Sequence, residues 1–107
     1  MGDVWQEALK NGIVVAVPMG VDVSRWLRFA GIARDFHKAR LPLVDWDVAQ
    51  LLGVKIQTAR KYIRELADLE SGTWRWPTST DILANARFQR GGDYYNHHVL
   101  LPQEAMG

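Results

Sequence analysis

The feature that most constrains this chain is Gly53, which separates two stretches of apolar residues with helical spacing. Before it, Val48 and Leu52 are four residues apart and so share one face of a helix. After it, the apolar residues follow the i, i+3, i+4, i+7 pattern of an amphipathic helix. They are Ala59, Tyr62, Ile63 and Leu66. Glycine readily adopts the positive φ that ends many helices. Residues 47–66 therefore predict two short helices joined by a tight turn.

The second predicted helix has one basic face. The residues opposite its apolar stripe are Gln57, Arg60, Lys61 and Arg64. Lys55 adds a fourth cation, and residues 55–64 contain no acid. The whole chain has a formal net charge of only +1, so the protein offers no general excess of cations to a polyanion. Affinity for a polyanion would therefore depend on this local patch.

At these positions the sequence resembles the helix-turn-helix of bacterial and phage DNA-binding proteins. Small, turning and buried residues stand where that motif needs them, at Ala49, Gly53, Val54, Ala59 and Ile63. The resemblance implies a helix-turn-helix core over residues 45–69, with the second helix entering the major groove.

The start of that second helix is less well defined by the motif. Ile56 stands where a polar capping residue is more usual, so Gln57 or Thr58 is an alternative first residue. A different interpretation of the whole motif is a structural pair of helices whose basic face is merely solvated.

Two segments near the start of the chain have distinct patterns. Residues 3–10 carry apolar residues at helical spacing before Asn11 and Gly12, which predicts a short first helix. The apolar run at residues 13–18 predicts a buried strand. That run is too short to span a membrane and lacks the pattern of a secretion signal.

A longer helix is expected next, capped by Asp22 or Ser24. Its apolar stripe consists of Trp26, Phe29, Ala30, Ala33 and Phe36. Gly31 within it suggests that another backbone packs closely there. Asp45 or Asp47 is then expected to cap the first helix of the helix-turn-helix.

Strand-like composition follows the helix-turn-helix. Residues 73–77 are aromatic and β-prone. Residues 81–89 alternate in a way that favours a strand, with a short helix capped by Thr80 as the alternative. The glycine-containing turn at residues 90–93 and the strand composition of residues 94–101 then predict a β-hairpin.

A hairpin after a helix-turn-helix resembles the arrangement of winged-helix domains. The expected fold is thus α+β and mainly helical, a single winged helix-turn-helix domain over residues 1–107. Its C-terminal β-hairpin wing would span residues 82–101. The resemblance implies that the wing touches DNA beside the recognition helix, with Arg87 and Arg90 as its cations.

Enzymatic and metal-binding functions find little support in the residue pattern. The chain has no cysteine, which excludes disulfides and thiolate ligands and fits the cytoplasm. His97 and His98, near Asp93, would point to opposite faces of a strand and cannot easily bind one metal ion. His37 is distant in sequence, and no glycine-rich loop leads into a helix to hold phosphate. The expectation is a protein that is not an enzyme and uses neither metal nor cofactor.

The expected function is sequence-specific binding of double-stranded DNA by a small transcriptional regulator of bacterial or mobile-element origin. Base edges would be read by Gln57, Thr58 and Lys61, and phosphates held by Arg60 and Arg64. The complete expected DNA-binding set is Lys55, Gln57, Thr58, Arg60, Lys61, Arg64, Arg87 and Arg90.

The tryptophans suggest a second class of function. The chain contains five, and tryptophan is enriched at the centres of protein interfaces. Trp5, Trp74 and Trp76 lie outside the clearest core stripes, so a winged-helix module that binds a protein instead of DNA is the alternative. A homodimer is also expected, through the predicted first helix with Trp5 and Leu9.

Overall fold

A computed structural model describes residues 5–10, 13–84 and 98–103. The elements before the glycine turn are β1 (Trp5–Lys10), β2 (Ile13–Pro18), α1 (Val23–Lys38), β3 (Leu43–Val44) and α2 (Asp45–Leu52). Those after it are α3 (Ile56–Leu69), β4 (Trp74–Arg75), α4 (Ser79–Ala84) and β5 (Val99–Pro102). This confirms the prediction of an α+β chain that is mostly helical.

The first two described elements pair as a β-hairpin, so the helix predicted over residues 3–10 is wrong over its described part, Trp5–Lys10. β1 pairs antiparallel with β2, with Trp5 opposite Pro18 and Lys10 opposite Ile13. The six residues of β1 show no regular alternation of apolar and polar residues, but a helix of about eight residues is marginal without tertiary support. Pairing with the β-branched run of β2, which confirms the strand predicted there, decides in favour of the strand. The asparagine-glycine pair at positions 11 and 12, which lie outside the described residues, is itself a hairpin signal.

α1 forms as the sequence predicts and is fastened at its start. The Asp22 side chain caps it by accepting a hydrogen bond from the Arg25 N–H at 2.8 Å. The Trp26 indole Nε1 donates to the Ala16 carbonyl at 3.0 Å, which ties α1 to β2. Among the described residues, the close backbone contact expected at Gly31 is not found, because a Cβ added there would meet no atom of another element within 4 Å.

The core lies between α1 and the α2–α3 pair. Trp26, Phe29 and Tyr62 form an aromatic cluster with ring centroids 5.1 to 5.5 Å apart. The remaining buried members of this core are Val17, Ala33, Leu43, Val48, Leu52, Ala59, Ile63, Leu66, Ala67, Trp74 and Leu100. One face of α3 is thereby fixed against the rest of the protein, and the opposite face is left to solvent.

A second, three-stranded antiparallel sheet has the order β3–β5–β4. Leu43 lies opposite Leu100, and Trp74 lies opposite Pro102. β4 falls within the predicted β-prone segment 73–77, and β5 falls largely within the predicted strand 94–101. β5 is thus the central strand, and both of its described neighbours, β3 and β4, precede the segment predicted to form the first wing strand.

The strand preferred for residues 81–89 is wrong over its described part, since Ser79–Ala84 is α4. The cause is a capping arrangement: the Thr78 hydroxyl accepts from the Asp81 N–H, and the Asp81 carboxylate accepts from the Thr78 N–H at 2.8 Å. Threonine followed three residues later by aspartate is a helix-start signal visible in the sequence. Of the wing predicted over residues 82–101, positions 85–97 lie outside the described residues.

The ion pair between Arg75 and Asp81 joins β4 to α4 and predicts an unusual titration. Two guanidinium nitrogens of Arg75 donate to the Asp81 carboxylate at 2.8 and 3.1 Å. These bonds, and then those from Thr78, hold the pKa of Asp81 far below its ordinary value of 3.8. We expect carboxyl ¹³C NMR to show Asp81 still ionised one pH unit below that value. The stabilisation is present above the unfolded-state pKa and is lost as the pH falls through the lower folded-state pKa.

The matched control is Arg75→Gln, in which Asp81 should titrate much closer to an ordinary aspartate. An ordinary titration midpoint for Asp81 in the unaltered protein would contradict the ion pair.

Candidate nucleic-acid interface

The turn between α2 and α3 is built on Gly53, as the sequence predicts. Gly53 has φ 69° and ψ 37°, the left-handed conformation that glycine adopts without strain. The Val54 N–H then donates to the Ala49 carbonyl at 3.0 Å, closing the end of α2. α3 begins at Ile56, preceded by Lys55 as a cap residue without a side-chain hydrogen bond. Among the alternatives for the first residue of this helix, Ile56 is the one observed.

The exposed face of α3 carries a line of polar and cationic side chains. Gln57, Lys61 and Arg64 are exposed and follow the i, i+4, i+7 spacing that places them on one side of the helix. Lys55 is exposed just before the helix, and Thr58 is half-buried beside the line. We refer to Gln57, Lys61 and Arg64 as the α3 line. The line ends where Asp68, one turn beyond Arg64, introduces an acid on the same side.

Arg60 differs from the other predicted DNA-binding residues because it points toward α2. Its Nε donates to Oδ2 of Asp45 at 2.8 Å, and its side chain is only 26% exposed. Arg60 lies on the flank of α3, between the buried stripe and the α3 line, so a carboxylate on α2 is within its reach. In the structure, the Nε of Arg60 joins α3 to α2, and the phosphate-holding role expected for Arg60 stays a prediction.

Asp45 is the centre of a buried network. Asp45 or Asp47 was expected to cap α2, but α2 begins at Asp45 itself and the preceding Val44 is the cap residue. The Asp45 carboxylate is fully buried and accepts hydrogen bonds from Arg60, the Trp46 N–H at 2.7 Å and the His98 N–H at 2.9 Å. These donors compensate the cost of burying a charge.

His98 is joined to Asp45 through its backbone as well. The Asp45 N–H donates to the His98 carbonyl at 3.0 Å, while the His98 N–H donates to the Asp45 carboxylate. The two residues thus continue the pairing of β3 with β5 by one position, beyond Val44 opposite Val99. The backbone of His98 is therefore held by the sheet and by α2.

The ring of His98 contacts the α3 line. Arg64 Nη1 lies 3.1 Å from His98 Nε2, and the Trp76 ring packs edge-on against the His98 ring at a centroid distance of 6.0 Å. From the sequence alone, His98 was only a poorly supported candidate for a metal ligand. Within the described residues, no group of three or more histidine, cysteine, aspartate or glutamate side chains could hold a metal ion.

Comparison with known proteins adds no assignment. No family model, curated protein or solved structure matches this chain. In the described part of the chain, no helix is long and apolar enough to cross a membrane.

The tryptophans proposed for a protein interface are separated by the fold. Trp74 is only 2% exposed and packs edge-on against His37 at 5.3 Å, so it belongs to the core and is removed from the interface candidates. Trp76 is 46% exposed and remains one. Trp5 lies in β1, which replaces the helix expected to form a dimer, and its side chain lies outside the described residues. Arg87 and Arg90 also lie outside them.

Proposed function

We propose that this chain is a winged helix-turn-helix domain that binds double-stranded DNA in a sequence-specific manner, with α3 as the recognition helix. The observation that carries the proposal is the α3 line: an amide and two cations on the exposed face of a helix whose opposite face is fully packed. Such a helix offers hydrogen-bond donors along a rigid surface that fits the major groove. Rigidity matters because base recognition needs fixed donor and acceptor positions.

The order of the elements supports this proposal. α2, the turn at Gly53 and α3 are followed by the antiparallel pair of β4 and β5. A helix-turn-helix followed by a β-hairpin is the arrangement of winged-helix domains. In sequence, the segment between β4 and β5 includes α4 and residues 85–97, and Arg87 and Arg90 belong to that segment. In the proposed complex they hold the DNA backbone beside the groove.

The side chains of the proposed interface have different roles, which follow from their chemistry. Gln57 carries both a donor and an acceptor and can pair with an adenine edge, while Thr58 and Lys61 reach neighbouring bases. Arg64 and Lys55 hold phosphates, which sets the register of the protein without reading sequence. Arg60 contributes indirectly, because its bond to Asp45 fixes α3 against α2.

The biological role that fits this activity is that of a small cytoplasmic transcriptional regulator from a bacterium or a mobile element. One recognition helix reads only a few base pairs, and a homodimer would supply a second half-site. An inverted repeat in the bound sequence would show directly that two copies bind together.

Selection of bound sequences from a random duplex pool at moderate salt tests the proposed function. We expect enrichment of a defined motif, and an inverted repeat if two copies bind together. The Lys61→Glu, Arg64→Glu double variant is the control and should enrich nothing. If the unaltered protein neither enriches a motif nor binds any duplex, DNA binding is wrong. A protein partner docking at the exposed Trp76 would then be the favoured function.

Gln57→Ala should relax the sequence preference of the protein. The amide would be lost from the exposed start of the α3 line, while both cations remain. We expect affinity for the selected duplex to fall about tenfold, with affinity for a random duplex nearly unchanged, since a bidentate base contact is worth about 1–3 kcal/mol. Fluorescence anisotropy with each duplex gives the two affinities and so the ratio of selected to random binding. An equal loss on both duplexes would show that Gln57 does not read a base.

A further inference from the structure

We propose that His98 is a positioning residue for Arg64 in the DNA interface. This inference rests on the proposed function and assigns a role within it to a residue that the sequence did not connect with DNA. The structural basis is the 3.1 Å approach of Arg64 Nη1 to His98 Nε2. His98 holds one edge of the guanidinium, and the exposed remainder engages a phosphate.

The chemistry of the pair fixes the state of the histidine ring. A guanidinium has donors and no acceptor, so His98 Nε2 must accept the hydrogen bond. A histidine nitrogen accepts only when it carries no proton. His98 is therefore neutral in this contact, with its ring hydrogen on Nδ1.

The anchor on which Arg64 rests is itself rigid. The His98 backbone is bonded to Asp45 through both its N–H and its carbonyl, and the next residue, Val99, is 2% exposed in β5. Asp45 also binds Arg60 on α3, one turn before Arg64. The backbone that carries the His98 ring is thus held by the sheet, by α2 and, through Asp45 and Arg60, by α3.

Positioning matters because Arg64 is exposed, and an exposed arginine that nothing holds can adopt many rotamers. A free arginine loses rotamer freedom when it binds a phosphate, and that loss weakens binding. An arginine already held by His98 loses less. The buried carboxylate of Asp45, through the backbone of His98, therefore contributes to DNA affinity without contacting DNA.

The test compares His98→Ala with His98→Gln, because the glutamine amide oxygen can accept the same hydrogen bond. His98→Ala should weaken binding to the selected duplex about three- to tenfold, from the ordering of one side chain. His98→Gln should recover most of that loss. In an Arg64→Ala background, neither His98 substitution should change the affinity further. The inference would be overturned if His98→Ala weakened duplex binding equally in the Arg64→Ala background. It would also be overturned if His98→Gln bound the duplex as weakly as His98→Ala.

A measurement without DNA guards against variants that fold poorly. The ¹⁵N chemical shifts of the His98 ring in the unaltered protein should identify Nε2 as the unprotonated nitrogen near neutral pH. Arg64→Ala should change the tautomer balance. A protonated Nε2 would overturn the role inferred for His98 and leave the proposed function standing. Absence of duplex binding by the unaltered protein would overturn both.

Discussion

Replacing Asp45 with alanine is expected to lower the free energy of unfolding by about 3 kcal/mol, the lower end of the cost of breaking a buried ion pair. The substitution would leave Arg60 without its carboxylate and remove the acceptor used by the N–H groups of Trp46 and His98. Arg60 is partly exposed, so water can solvate some of its charge, which places the effect at the lower end. Urea unfolding followed by circular dichroism measures the change, and a fall in melting temperature of roughly 10 °C or more should accompany it.

Two controls separate the network from general effects of mutation. Asp45→Asn keeps the shape and part of the hydrogen bonding but removes the charge, so it should destabilise the protein less than alanine does. Asp68→Ala removes an exposed acid at the end of α3 and should change stability by less than about 0.5 kcal/mol. If Asp45→Ala were as stable as the Asp68 variant, the buried network would not hold the α2–α3 pair together.

Reversing both charges of the α3 line, by Lys61→Glu with Arg64→Glu, should weaken duplex binding by about 100-fold or more at moderate salt. Two contacts to DNA would be lost, and two anions would face the phosphates in place of two cations. Both side chains are exposed and neither belongs to the core, so the folded structure should persist. Fluorescence anisotropy gives the affinity, and thermal unfolding checks the fold.

The matched control makes the same change in net charge on α1. Arg28 and Arg34 are exposed there, and Arg28→Glu with Arg34→Glu should weaken binding far less than the α3 variant. Equal losses in the two variants would mean that the protein binds DNA only through its total charge. No loss in the α3 variant would remove α3 from the interface.

The sequence predicted the helices best where a long apolar pattern had one interpretation. α1 and α3 each carry a stripe repeated over several turns, and Gly53 marks the turn before α3 unambiguously. Residues 3–10 were too few to distinguish helix from strand, and their structure was decided by pairing with β2. The alternating pattern of residues 81–89 favoured a strand, and the alternative helix was expected to be capped by Thr80. The residues that cap α4 are instead Thr78 and Asp81.

The candidate interface was predicted in its exposed part and missed in its supporting part. Helical spacing alone identifies Gln57, Lys61 and Arg64 as neighbours. It cannot show that Arg60, on the flank of the helix, binds an acid 15 positions earlier, or that His98, 53 positions after Asp45, bonds to that same acid. Such contacts depend on how β3, α2, α3 and β5 meet, which no local pattern contains. The buried carboxylate and its partners therefore became visible only in the fold.

The measurement that tests DNA binding most directly is the salt dependence of duplex affinity. We expect the logarithm of the binding constant to fall linearly with the logarithm of salt concentration, because phosphate contacts release counterions. Arg64→Ala should reduce the slope by about one unit. Duplex binding that is absent at low salt, or that keeps the same salt slope when Arg64 is replaced, would contradict the claim that α3 holds the DNA.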